Sequence, residues 1–262
     1  MYLPIFHVDA FTAKPFGGNP AAVCPLTEWL DDDLLRSVAS ENNLSETAYL
    51  VPRGDGYDLR WFTPRCEVKL CGHATLASAL VVLQILASGT NSVSFHTRCS
   101  DTLTVFREGD LLAMDFPAKA PWTCANPPAA LLEGLGVRPI SVMQIEDNYF
   151  AVYGSAEDVK RMRPEFHVLE KLHPAGVAIT APGEDSDFVS RYFAPSYGIP
   201  EDPVTGSTHC SLAPYWGERL GKTSLHARQV SQRGGELWCE LKGDRVIIKG
   251  QAVLTLRGQL SI

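Results

Sequence analysis

Glu46, His73 and Asp202 are the side chains in this sequence whose types and positions suit proton transfer. Histidine takes up and releases a proton near neutral pH unaided. A carboxylate does so when burial or a nearby like charge raises its pKa. His73 follows Gly72 in Leu70-Cys71-Gly72-His73-Ala74-Thr75-Leu76, which reads as a strand end, a glycine turn and an apolar helix. Asp202 stands just ahead of a second glycine-led helix start, Gly206-Ser207-Thr208. Glu46 opens an apolar strand at 45–51, sharing a face with Ala48 and Leu50, where a carboxylate is unexpected if that face is core. The first four N–H groups of a helix lack intrahelical partners and the dipole is positive there, so each helix start is a binding place for an anion such as a carboxylate. Together these features point to general acid–base chemistry beside a carboxylate cradle.

The elements around the two turns repeat. Arg60-Trp61-Phe62-Thr63-Pro64 precedes Gly72, and Arg191-Tyr192-Phe193-Ala194-Pro195 precedes Gly206. The offset, 191 − 60 = 131, is half of the 262-residue chain, which indicates an internal duplication. The Arg-to-Gly spacing is 72 − 60 = 12 in the first copy and 206 − 191 = 15 in the second. In the first half, strands at 5–12 and 20–25 flank the turn-rich Lys14-Pro15-Phe16-Gly17-Gly18-Asn19-Pro20, whose glycines allow close backbone approach to a ligand with Asn19 turned inward. Thr27 reads as the cap of a helix carrying Leu30, Leu34, Leu35 and Val38, ended by Asn42-Asn43. A strand at 57–63, the helix 72–83 and a meander of strands at 92–97, 102–107 and 111–116 follow. Pro117-Ala118-Lys119-Ala120-Pro121 reads as a linker. The second half has strands near 150–153, 176–180 and 188–193, a helix near 156–162, the helix 207–220, and a meander through 227–232, 237–241 and 245–248 before a last strand at 253–256. The expected organisation is one lobe over 1–116, joined by the last strand at 251–262, and a second over 122–250, with the site in the cleft between them. The expected class is α+β: two pseudo-symmetric lobes, each a curled, mostly antiparallel, barrel-like sheet around a central helix.

Composition restricts the function classes. With 45% hydrophobic and 20% charged residues, the chain is of ordinary soluble globular type. A formal charge of −7 argues against a general nucleic-acid or anionic-membrane surface. No apolar run approaches the ~20 residues that span a bilayer, and the start lacks the basic region and long apolar core of a secretory signal. Seven scattered cysteines, an odd number, suit reduced thiols in the cytoplasm. Cys66, Cys71 and His73 lack the paired spacing of a zinc site. Neither a G-x-G-x-x-G nor a P-loop is present, so nucleotide binding has no support.

Five stretches resemble the PhzF family of phenazine-biosynthesis isomerases: Phe16-Gly17-Gly18-Asn19-Pro20, Ser45-Glu46-Thr47-Ala48, Arg60-Trp61-Phe62-Thr63-Pro64, Gly72-His73-Ala74-Thr75-Leu76 and Glu201-Asp202-Pro203-Val204-Thr205-Gly206-Ser207. They cover both halves in the family order. The resemblance implies a diaminopimelate epimerase-like fold, a homodimer, and a proton shift that needs no metal or organic cofactor. It implies that Glu46 is the catalytic acid/base, with His73 and Asp202 in the active site. It further implies that Asn19, Gly72, Ala74, Gly206, Ser207 and Thr208 bind a small carboxylate-bearing substrate. Cys71 stands where related epimerases carry one of two opposed catalytic thiols, but the matching position before Gly206 is Thr205, with Cys210 four residues into the helix. A cysteine-dependent racemase or epimerase using Cys71, and a non-catalytic binding protein, are the alternatives.

Overall fold

Strands pack around a central helix, and the chain builds this arrangement twice. The computed structural model describes residues 1–98 and 102–262; Cys99, one of the seven thiols, lies outside the described residues. The chain divides into two compact units, Met1–Asp115 with Ile248–Ile262, and Phe116–Ile247.

In the first unit, strand Tyr2–Ala10 pairs antiparallel with both Asn19–Pro25 and the last strand, Ala252–Ser261. Asn19–Pro25 pairs parallel with Glu46–Arg53, and the helix Asp32–Asn42 makes the crossover that a parallel join requires. Glu46–Arg53 pairs antiparallel with Gly56–Phe62, which carries the short Glu67–Val68 on its edge. After the helix Gly72–Val81, Ser92–His96 pairs parallel with Gly56–Phe62, and the meander Leu103–Glu108 and Leu111–Pro117 follows. Every residue from His73 to Val81 is buried. Small and apolar residues on all sides suit a helix enclosed by sheet. Its hydroxyls are satisfied within the helix, Thr75 Oγ1 donating to Cys71 O at 2.6 Å and Ser78 Oγ to Ala74 O at 2.7 Å.

The second unit repeats these joins. Ser141–Ile145 pairs antiparallel with Asn148–Val152, which pairs parallel with Gly176–Pro182. Gly176–Pro182 pairs antiparallel with Phe188–Ala194, which carries the short Ile199–Asp202 on its edge. After the helix Gly206–Leu220, Ser224–Gln229 pairs parallel with Phe188–Ala194 and antiparallel with Gly235–Lys242. The fold is therefore α+β with a repeated, mostly antiparallel topology, as the sequence indicates.

One local expectation is corrected. Asp31, not Thr27, caps the first helix, its side chain accepting from Asp33 N. A carboxylate at the cap also meets the positive end of the helix dipole. The strand from Glu46 is buried on both faces over Thr47–Val51. Tyr49 and Val51 pack with Leu35, Val38 and Ala39 of the first helix, while Ala48 and Leu50 on the opposite face are equally enclosed. Glu46 opens the strand on the face of Ala48 and Leu50.

Candidate active site

Glu46 and His73, 27 residues apart in sequence (73 − 46), meet in the first unit. Glu46 is at the strand end, its side chain 12% exposed, and its Oε2 lies 3.1 Å from His73 Nε2. Neither of these two atoms has another hydrogen-bond partner among the described residues. The opposite ring nitrogen, Nδ1, lies 3.2 Å from Asn19 Nδ2 and 3.4 Å from Cys71 Sγ. Asn19 is delivered by the Gly17-Gly18 turn. Gly18 has φ +60°, and a Cβ there would lie 2.1 Å from the Ala10 carbonyl oxygen, so only glycine fits. The close approach at this glycine is to the chain's own backbone, which then turns Asn19 fully inside.

Burial opposes charge on the His73 ring, but Cys71 and the Glu46 carboxylate outweigh it and hold the imidazole well above its ordinary pKa. Burial, with Glu46 adding to it, pushes the Cys71 thiol up to about 11, so this sulfur is a neutral thiol at pH 7. Cys71 is also the N-cap of the central helix, in extended conformation and with no side-chain bond to the first turn. The leading N–H groups from Gly72 onward are thus uncapped by a side chain, as an anion cradle requires.

Asp202 belongs to the second unit. Its Oδ2 accepts from Thr205 Oγ1 at 2.5 Å, and its carbonyl accepts from Gln229 Nε2 at 2.8 Å. Gln229 Oε1 in turn accepts from Thr205 N at 2.9 Å. Gln229 thereby fixes the turn that leads into Gly206. Thr205 is the N-cap of Gly206–Leu220, again extended and again without a side-chain bond to the first turn. Ser207 is exposed. Thr208 is buried and donates its hydroxyl back to Thr205 O at 2.8 Å, so its backbone is better placed than its side chain to meet a ligand. Ala74 is fully buried behind His73, and Gly72 is half-buried at the head of the helix.

Sequence reasoning missed Gln229, which nothing local marks, and two matched ion pairs that stand behind the turns. Arg60 makes a two-pronged contact with Glu67, Nε to Oε1 and Nη2 to Oε2 both at 2.7 Å. Arg191 does the same with Glu201 at 2.7 and 2.8 Å. A signal was present. Each glutamate precedes its helix glycine by five residues, 72 − 67 and 206 − 201.

Glu46, Cys71 and His73 place ligand-type atoms within 4.8 Å of one another. The sulfur and the carboxylate meet different ring nitrogens, on opposite edges of the imidazole. Cys66 is exposed and takes no part.

A family model described as phenazine biosynthesis-like protein matches residues 8–258. A Pseudomonas aeruginosa protein named as an uncharacterized isomerase is 53% identical over 262 residues, covering all of both chains. Among solved structures, a PhzF-family phenazine biosynthesis protein of Enterococcus faecalis superposes with a TM-score of 0.95 at 42% identity, again over all of both chains. A probable proline racemase of Agrobacterium radiobacter shares the fold at a TM-score of 0.61 and 11% identity, covering 99% of this chain and 93% of that one.

Proposed function

The chain belongs to the PhzC-PhzF family of phenazine biosynthesis-like proteins and is an isomerase of that family, and from that premise we propose that its reaction is a proton shift, without a cofactor, on a small carboxylate-bearing substrate, with Glu46 as general acid/base. The observation that supports this reading is the buried Glu46–His73 pair beside an uncapped helix start. Removing a proton from a carbon near a carboxyl group develops negative charge on that group. Fixed backbone N–H donors stabilise such charge without reorganising. In this reading Gly72 and Ala74 supply donors from the first unit, and Gly206, Ser207 and Thr208 from the second. Asp202 is the second unit's ionisable partner in the reaction. Glu46 takes the proton from one carbon and returns it to another, and enclosure keeps that proton from water.

The test is proton exchange in deuterated water across a panel of small carboxylates, dihydro-hydroxyanthranilate included. Glu46→Gln is expected to lower exchange by about 10²–10⁴-fold. Cys71→Ser is expected to retain most of it, because a neutral buried thiol is a poor base. Loss in the cysteine variant with retention in the glutamate variant would instead assign the chemistry to Cys71.

A further inference from the structure

His73 offers two ring nitrogens, and the structure fills their surroundings unequally. Nδ1 faces the Asn19 amide nitrogen, which only donates, at 3.2 Å, and the Cys71 sulfur, which can donate or accept, at 3.4 Å. Nε2 faces one group that only accepts while ionised, the Glu46 carboxylate at 3.1 Å. A nitrogen that receives donors keeps its lone pair, and the nitrogen facing the carboxylate carries the proton. We propose that Asn19 is a positioning residue that disfavours a proton on His73 Nδ1, so that the ring directs Nε2–H at Glu46 and holds its second proton less tightly than Cys71 and Glu46 alone would make it. This deepens the proposed role of Glu46 and rests on it for its purpose, though not for its test.

The physical reason lies in what Glu46 must do. Against a permanent imidazolium the carboxylate would sit in a tight ion pair and bind a substrate proton weakly. A ring that can give up its second proton orients the carboxylate through Nε2–H without locking it into that pair. The titratable groups acting on the ring are Cys71 and Glu46, and both favour a second proton there. The Asn19 amide opposes them, since its N–H cannot share Nδ1 with a ring proton. Asn19 is wholly buried and held by the Gly18 turn, so its amide cannot drift away to water. In this assignment Asn19 acts through His73 and does not itself touch the substrate.

The test is nitrogen-15 NMR of the histidine rings in the intact chain, with the His73 signals identified by their loss in His73→Gln. Above its titration midpoint, wild-type His73 is expected to show an unprotonated Nδ1 and a protonated Nε2. Asn19→Ala is expected to raise that midpoint by about one pH unit, the size of one lost hydrogen bond. Asn19→Asp, which places an acceptor at Nδ1, is expected to raise it further. The opposite tautomer in the wild type overturns the proposal without any variant. So does an unchanged midpoint in a folded Asn19→Ala. The readout needs no substrate, so a failed tautomer and a failed Glu46 exchange assay remain separate results.

Discussion

His209 shows how strongly a single residue can couple this protein to pH. It is the fourth residue of the second central helix (209 − 206 = 3), where Thr75 stands in the first (75 − 72 = 3). Each bonds the carbonyl four residues back, Thr75 through its hydroxyl and His209 through Nδ1 at 2.9 Å from Thr205 O. The ring stacks on Phe188 at 5.8 Å and is fully buried, and burial pushes its pKa down to about 4. The unfolded chain therefore binds this proton below about pH 6.5 while the folded chain refuses it until about pH 4. Stability from this group is complete above the unfolded value and falls as pH drops through the window between them, by up to about 3 kcal/mol. His73, shifted upward, contributes with the opposite sign. Urea midpoints from pH 7 to pH 4 are expected to fall less steeply in His209→Asn, whose amide keeps the bond to Thr205 O but does not titrate. Equal slopes would mean that other groups dominate acid sensitivity. At this scale the sequence marks which side chains can hold protons, because that is a property of residue type. It does not mark their partners. Asn19 reaches His73 across 54 positions, and the amide that the family resemblance assigns to substrate lies against the histidine ring.

The two arginine–glutamate pairs show how whole elements are held. In each unit they tie the strand before the long turn to the short strand that leads into the central helix. The second copy is three residues longer, and the extra length falls between Arg and Glu, 201 − 191 = 10 against 67 − 60 = 7, where the single turn Pro195–Tyr197 takes it up. The Glu-to-Gly spacing, which the pair must preserve, stays at five. The remaining arginine contacts differ. Arg60 Nη1 meets the Asp32 carboxylate at 2.8 Å at the start of the first helix. Arg191 Nη1 meets carbonyls of Val159 at 3.1 Å and Met162 at 2.8 Å. Both arginines are buried, so removing the glutamate leaves a costly charge behind. Arg60 keeps a charged partner and Arg191 only neutral ones. Glu201→Ala is therefore expected to cost about 2 kcal/mol and Glu67→Ala about 1 kcal/mol, both reduced by the partial exposure of the glutamates. Equilibrium urea unfolding checks the order, and a larger loss for Glu67→Ala would reject the account. Long periodic elements are legible at this scale because apolar spacing reports which face is buried. The helix Ala129–Leu135 and the short strands Trp122–Thr123 and Ile199–Asp202 are not, being too brief to show a period.

Across the whole molecule the duplication is one of topology and not of chemistry. Tyr49 pairs with Arg60 and Ile179 with Arg191, so three residues earlier Glu46 corresponds to Gly176. A Cβ at Gly176 would lie 2.0 Å from Tyr192 Oη, which occupies the space a second acid would need. His73 likewise corresponds to Ser207, each directly after its helix glycine. The repeated scaffold was readable from the Arg-x-Phe-x-Pro and glycine-helix patterns, whereas this asymmetry depends on strand register, which those patterns do not fix. Charge gives the last consequence. The chain carries a formal −7, and the proposed cradle attracts an anion through backbone N–H groups whose field is short-ranged. On the proposed function, a carboxylate substrate would approach against the net charge of the molecule until short-range backbone donors take over. Raising ionic strength from about 0.01 M to about 0.15 M shortens the screening length from about 30 to about 8 Å and weakens the long-range repulsion more than the close contact. The expected outcome is a kcat/KM that rises about twofold over that range with little change in kcat, and no rise for a neutral amide analogue. A kcat/KM that falls with salt would show that local positive side chains, rather than backbone donors, bring the substrate in.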